Sequence, residues 1–104
     1  MQIEHNGEEV KIILPKRVVN FENAEEFKQT LYDLCEQGYR KIVLDFSHVQ
    51  MIDTAGISPL LVSQKRLKEQ GGGLKIIQIS SDYIREMFDT IELYKVIEIE
   101  GLGT

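Results

Sequence analysis

The sequence predicts an α/β domain with a mixed sheet of about five strands, in the order β-β-α-β-α-β-α-β, covered by helices. Short segments rich in Val, Ile and Leu alternate with longer segments whose apolar residues recur every three or four positions. Turn and cap residues separate most of these segments. Strands that alternate with helices of this length form βαβ units, so part of the sheet should be parallel. We expect one domain over residues 1–104, because the chain is too short for two packed cores.

The first elements should be a hairpin. Asn6 and Gly7 lie between two apolar segments, and both residue types tolerate positive φ, so residues 2–14 should form two strands joined by a type I′ turn. The next segment, 15–22 (PKRVVNFE), is irregular or weakly extended in its pattern. It has no apolar alternation that would predict a full strand.

A first helix should follow that segment. Asn23 stands three residues before Glu26, which is the spacing of a capping box with Asn in place of Ser or Thr. Gly38 should end the helix, since glycine adopts the left-handed conformation common after a last turn. The apolar residues at helical spacing, which should face the core, are Phe27, Leu31, Leu34 and Cys35.

The second half of the chain predicts two more helices between three strands. Residues 41–46 (KIVLDF) and 74–79 (LKIIQI) read as strands buried on both faces, and 94–99 (YKVIEI) as the last strand. A helix should begin near residues 54–56 and end at Gly71-Gly72-Gly73, with Pro59 in its first turn. Its apolar spacing joins Ile57, Leu60, Leu61, Gln64 and Leu67. A third helix should be capped by Ser80 or Ser81 and continue through Ile84, Met87 and Phe88.

Composition excludes several function classes. The net charge of −5 argues against non-specific binding of nucleic acid or of anionic lipid. One cysteine, Cys35, allows no internal disulfide, and the isolated His5 and His48 make no metal cluster. The sequence shows neither a signal peptide nor an apolar segment of about 20 residues that could span a membrane. We therefore expect a cytoplasmic protein, a monomer or weak dimer, without metal or cofactor.

No catalytic motif is visible, so we expect a protein that is not an enzyme. The sequence has no Walker-type glycine loop, no H-E-x-x-H and no G-x-S-x-G. The glycines at 71–73 follow a helix and precede a strand, the reverse of the order that directs backbone N–H groups at a phosphate. Cys35 fits the core, and His48 fits an exposed turn with no partner for proton transfer.

The segment QMIDTAGISPLL (50–61) carries the most information about function. Asp53 and Thr54 lie where a strand gives way to a helix, and either side chain could cap that helix. Gly56 would allow another backbone to approach closely. Loops at the carboxyl ends of strands in an open α/β sheet are also where ligands and partners bind. From these residues alone, a capping role for Asp53 and Thr54 and a binding role remain alternatives.

The segment KIVLDFSHVQMIDTAGISPLL resembles the central signature of the STAS domain family of anti-sigma factor antagonists. That signature is an apolar strand, a short polar turn, Asp-Ser-Ser-Gly or Asp-Ser-Thr-Gly, and a leucine-rich helix. NAEEFKQTLYDL is similar to the family's first helix, and KEQGGGLKIIQISSDYIREMFDTIELYKVIEI to its last third. RVVN stands where the family reads Gly-Glu-Leu-Asp, so Asn20 takes the place of that Asp.

The resemblance implies a protein-binding module switched by phosphorylation. Family members bind an anti-sigma factor that is a GHKL-type kinase, and so release a sigma factor for transcription. The kinase phosphorylates the hydroxyl residue after the motif's Asp, and a PP2C-type phosphatase reverses the reaction. On this sequence the phosphorylated position is Thr54. The implied partner-binding residues are Asn20, Met51, Asp53, Thr54, Ala55, Gly56 and Ile57.

Two further readings remain open. Asp-Thr-Ala-Gly also resembles the STAS accessory subunit of an ABC system that maintains outer-membrane lipid asymmetry, in which the same surface contacts an ATPase. The third reading is a STAS protein locked in one state, in which Thr54 acts only as a cap. A neighbouring gene for a small ATP-binding kinase would favour the first reading, and genes for an ABC ATPase and permease the second.

Overall fold

A computed structural model describes residues 1–15 and 17–103 of the chain. In chain order its elements are β1 (Gln2–Asn6), β2 (Glu9–Ile13), β3 (Val18–Val19), α1 (Ala24–Glu36), β4 (Lys41–Asp45), β5 (Met51–Ile52), α2 (Thr54–Glu69), β6 (Gly73–Ile77), α3 (Asp82–Thr90) and β7 (Glu98–Ile99). The predicted class is confirmed: a mixed five-stranded sheet with three α-helices. Two residues of the predicted domain, Lys16 and Thr104, lie outside the described residues.

The main sheet has the spatial order β1-β2-β4-β6-β7, and only β1 and β2 are antiparallel. The predicted hairpin forms, but its predicted turn is wrong. Asn6 pairs with Glu9 as the last residue of β1, so Gly7 and Glu8 make the turn. Gly7 has a positive φ of 67°, whereas the φ of Asn6 is not positive. A type I′ turn centred on Asn6 and Gly7 would need both.

The sheet buries one face, so the prediction that β4 and β6 are buried on both faces is wrong. Ile42 and Leu44 of β4 are fully buried, whereas Lys41 is exposed and Val43 is half-buried. The strand order gives the reason. From β2 to β7 each connection steps in the same direction across the sheet, and right-handed crossovers then place every helix on the same face.

A symmetric row of side chains crosses the open face of the sheet. Strand register aligns Glu4, Lys11, Val43, Lys75 and Glu98 on the five neighbouring strands. The ammonium group of Lys75 lies 3.3 Å from the Glu98 carboxylate. We call these five residues the charged row. Its charges read the same from either edge of the sheet.

The first helix ends as predicted but does not begin as predicted. Gly38, with a φ of 92°, follows the last turn of α1. Asn23 precedes the helix, but its side chain makes no capping hydrogen bond. The Asn23 carboxamide instead accepts from the Asn20 N–H (3.0 Å) and donates to the Val18 carbonyl (2.8 Å). The predicted capping box is therefore wrong, because the Asn23 side chain makes its hydrogen bonds within the loop before α1 and not to the N–H groups of the helix.

The second helix differs from its prediction at Pro59 and Leu61. Pro59 is the sixth residue of α2, so it lies in the second turn and removes the N–H that would bond to the Ala55 carbonyl. Leu60, Gln64 and Leu67 are buried as the spacing predicts, but Leu61 is 42% exposed. Leu60, Leu61 and Val62 are adjacent in the sequence, and three adjacent side chains of a helix cannot all face the core.

The last third of the chain is less extended than predicted. Ser81, rather than Ser80, caps α3, because its hydroxyl accepts from the Ile84 N–H at 3.3 Å. The predicted strand 94–99 is mostly wrong. Leu93–Lys95 form a 3-10 helix, and only Glu98–Ile99 pair with β6. Cys35 lies in the core, as predicted.

Candidate functional site

The junction between β5 and α2 lies at an edge where several loops meet. The short parallel pair β3–β5 ends here, aligning Val18 with Met51 and Val19 with Ile52. The loop before α3 joins the same edge, since the Ser81 hydroxyl donates to the Gln50 carbonyl at 3.0 Å. The carboxyl ends of strands therefore surround the start of α2, as expected for a binding edge.

Asp53 connects α2 to the loop before α1. One carboxylate oxygen, Oδ1, accepts from the N–H groups of Ala55 (2.9 Å) and Gly56 (3.3 Å), which caps the helix. The other, Oδ2, accepts from the Phe21 N–H at 3.2 Å. The Asp53 N–H donates to the Val19 carbonyl at 3.0 Å. A single residue therefore caps one helix and fixes the approach to another.

Thr54 is the first residue of α2, and its side chain is exposed. The cap is Asp53 rather than Thr54, so the Thr54 hydroxyl is not needed to start the helix. The N–H groups of Ala55 and Gly56, in the first turn of α2, are already bonded to Asp53. A phosphate on Thr54 would be stabilised by water and by the helix dipole instead.

The other predicted binding residues differ in accessibility. Met51 is 49% exposed, and Asn20, Ala55 and Ile57 are half-buried. Gly56 is buried, and the groups close to it are side chains rather than a second backbone. A Cβ there would lie 2.6 Å from Ile52 Cγ1 and 2.8 Å from Val19 Cγ1. Gly56 therefore packs beneath the exposed residues of this edge and is not itself accessible to a partner.

Two exposed apolar residues of this edge were missed by the sequence reasoning. Phe21 is 76% exposed and Val18 is 39% exposed. Both belong to the segment read as irregular, where no periodicity shows which side chains face out. The available signal was an aromatic residue in a short polar loop that is followed directly by a helix start. We call Val18, Phe21, Met51 and Thr54 the Thr54 surface.

The charges near this edge are mainly negative. Glu22, Glu25 and Glu26 lie at the start of α1, and Asp53 precedes α2. A hydrogen bond from Gln29, and then the Lys28 ammonium group, lower the pKa of Glu25 from its ordinary value. Away from the edge, burial raises the pKa of the Cys35 thiol. Over residues 1–15 and 17–103, His, Cys, Asp and Glu form no group of three that could hold a metal ion.

The STAS domain family model matches residues 2–101. A Thermotoga neapolitana protein, provisionally named an anti-sigma factor antagonist, is 27% identical over 93 residues, which are 88% of this chain and 81% of that one.

Solved structures show the same fold. An anti-sigma-factor antagonist (STAS) domain protein from Planctomyces limnophilus has a TM-score of 0.83 at 19% identity, covering 94% of this chain and 86% of its own. The unphosphorylated anti-sigma factor antagonist SpoIIAA has a TM-score of 0.74 at 18% identity, with coverages of 98% and 88%. SpoIIAA, a Bacillus cell fate determinant, has also been solved in its phosphorylated form, where the TM-score is 0.71 at 20% identity and the coverages are 97% and 91%.

Proposed function

The chain belongs to the STAS domain family, and on that premise we propose that it is an anti-sigma factor antagonist switched by phosphorylation of Thr54. In this proposal it is a binding module rather than an enzyme. It acts in the cytoplasm, where its partners are an anti-sigma factor of the GHKL kinase type and a PP2C-type phosphatase. The names of its relatives support the partner class.

The observation that carries the proposal is an exposed hydroxyl at the same edge of the molecule as exposed apolar side chains. Thr54 lies at the start of α2, while Met51 and Val18 present apolar side chains at the same edge. Apolar side chains that remain exposed in a cluster commonly mark a protein-binding surface. A hydroxyl within such a surface can change its charge without any change in the core.

A phosphate here would change binding rather than folding. It adds between about −1.5 and −2 charges at neutral pH. The exposed position at a helix N-terminus tolerates that charge in the free protein. Against a partner, the phosphate would lose its water next to Met51 and add to the negative charge of Asp53. The partner would therefore be released while the domain stays folded.

The first test uses the proposed partner, an ATP-binding anti-sigma factor of the GHKL kinase type. After incubation with that protein and ATP, intact mass should show one added phosphoryl group on the wild type and none on Thr54→Val. Valine keeps the shape of threonine without the hydroxyl, so Thr54→Val should still bind. Phosphorylation should weaken binding by about 100-fold in titration calorimetry. Tight binding of the phosphorylated protein would contradict the switch.

The same experiment separates the other two readings. An ATP-binding protein that binds but adds no phosphoryl group would favour a locked module, in which Thr54 only occupies the first helical position. Specific binding to the ATPase of an ABC transporter, with no binding to an anti-sigma factor, would favour the transport subunit. That second candidate rests on the Asp53-Thr54-Ala55-Gly56 sequence alone.

Within the described residues, none of the helices is both long and apolar enough to cross a membrane.

A further inference from the structure

Phe21 is the most exposed of the large apolar side chains on this protein. It is 76% exposed, compared with 54% for Tyr83 and 53% for Val96, which come next. An aromatic side chain has a large apolar area whose removal from water is favourable. In the isolated domain that free energy is not gained. A loop that presents such a side chain to water is therefore suited to a partner that covers it.

The loop that carries Phe21 is held in one shape by its own hydrogen bonds. The Asn20 carboxamide oxygen accepts from the Glu22 N–H at 3.0 Å, and the Asn20 N–H donates to the Asn23 side chain at 3.0 Å. The Asn20 carbonyl accepts from the N–H groups of Asn23 (3.0 Å) and Ala24 (2.7 Å). A side chain on a loop fixed in this way loses less conformational entropy when it binds.

Asp53 fixes the position of Phe21 relative to Thr54. The Phe21 N–H donates to Asp53 Oδ2, while Asp53 Oδ1 caps the helix that begins with Thr54. The backbone of the loop that carries Phe21 and the first turn of the helix that begins with Thr54 are therefore bonded to the two oxygens of one carboxylate. A partner that covers one of them also meets the other.

The charges beside Phe21 indicate what surrounds its binding pocket. Glu22 and Glu26 are exposed on the α1 side of the loop, and neither has an ion-pair partner among the residues that the structure describes. Carboxylates at the rim of an interface favour a partner with cationic residues opposite. Thr54, by contrast, lies on α2, beyond Asp53. The cationic rim of the partner would therefore face α1, whereas the part of the partner that covers Thr54 would face α2.

We propose that Phe21 is the anchor residue of partner recognition, inserting into an apolar pocket of the anti-sigma factor whose rim on the α1 side is basic. This inference rests on the proposed function and adds the residue that decides which partner is accepted. The anchor supplies affinity, and Thr54 supplies control. Aromatic anchors in the centre of an interface commonly carry most of the binding energy.

The test measures how tightly the proposed partner, an ATP-binding anti-sigma factor of the GHKL kinase type, binds purified wild type, Phe21→Ala and Phe21→Leu. We expect Phe21→Ala to weaken binding by about 30-fold, and Phe21→Leu to lose much less because it still fills an apolar pocket. Ile91→Ala is the matched control, since Ile91 is also exposed (49%) but lies at the far end of α3, and its affinity should be unchanged. Glu22→Lys should weaken binding less at high salt than at low salt.

Folding is checked separately, and the two proposals can fail separately. The urea midpoint of Phe21→Ala should equal that of the wild type, because the side chain makes few contacts in the free domain. Wild-type affinity in Phe21→Ala would overturn the anchor while leaving the Thr54 switch intact. If Phe21→Ala weakens binding but phosphorylation of Thr54 does not, the switch would be overturned and the anchor would stand. A wild type that does not bind this protein at all would overturn both.

Discussion

The two ends of α2 are held by different means. At the start, one carboxylate, that of Asp53, caps the helix and bonds to the neighbouring loop, and the surrounding apolar side chains remain exposed. At the other end, the contacts are between closely packed backbones. The Gly73 N–H donates to the Arg40 carbonyl at 2.9 Å, and a Cβ on Gly72 would lie only 1.8 Å from that oxygen.

We call the carboxyl-terminal end of α2, where these backbones pack together, the closed end, and the exposed start at Asp53 the open end. A buried side-chain amide adds to the contacts of the closed end. Gln64 accepts from the Leu74 N–H and donates to the Val96 carbonyl, both at 2.7 Å. It therefore joins the helix to β6 and to the segment before β7. Buried polar groups satisfied in this way make a unit that is costly to open. The difference between the ends indicates that α2 is anchored where it meets the sheet, so the exposed start can accept a partner or a charge.

Gly72→Ala should give the largest loss of stability, because it disrupts the backbone packing at the closed end. The added methyl group has no space beside the Arg40 carbonyl, so a backbone must move. We expect a loss of about 3 kcal/mol in the free energy of unfolding, measured by urea denaturation. Gly71→Ala is the control: its methyl group would meet no atom within 4 Å, so only the positive φ of 85° opposes it. Equal losses in both variants would remove the distinction between the ends.

Asp53→Ala should give an intermediate effect at the open end. It removes the cap of α2 and the bond to the Phe21 N–H, which together should cost about 1 to 2 kcal/mol in the free energy of unfolding. Asp53→Asn keeps one side-chain oxygen that can cap, so it should recover most of this loss. A loss as large as that of Gly72→Ala would show that this end is also part of the packed core.

Thr54→Glu should barely change stability. The side chain is exposed, and a carboxylate at the start of a helix is favoured by the dipole, which offsets repulsion from Asp53. We expect a change within about 0.5 kcal/mol in urea denaturation, together with weaker partner binding. A large fall in the thermal midpoint would make Thr54 a structural residue and would leave the switch without support.

Glu25→Gln should give the smallest effect, visible only as a change in pH dependence. The pKa of Glu25 in the folded protein lies below its ordinary value of 4.5, because Gln29 and Lys28 favour the ionised form. Its contribution is therefore present above pH 4.5 and is lost as pH falls through the lowered value. Urea midpoints above and below pH 4.5 should differ slightly less in Glu25→Gln than in the wild type.

The fold followed from the sequence where the signal was local. Apolar periodicity and helix-ending glycines placed all three helices, and Gly38 and Gly71 have the expected positive φ. The burial of only one sheet face did not follow, because it depends on the order of the strands in space. The strand Val18–Val19 was also missed, since two residues carry no period and pair with β5, more than 30 positions away.

The candidate site was predicted in part. Asp53 and Thr54 were found because a cap residue after a strand is a local signal, and the structure decides that Asp53 is the cap. Phe21 was missed because nothing in its own segment indicates that it lies beside Asp53. That proximity arises from a hydrogen bond between residues 32 positions apart.

The charged row bears on how two copies of this domain would meet. If a second sheet were laid over the open face by a two-fold rotation through Val43, along the strands or across them, every glutamate would face a glutamate and every lysine a lysine. Like charges placed opposite each other oppose such a stack. The order of these five side chains, which is the same from either edge, should therefore disfavour face-to-face stacking of two uncovered sheets.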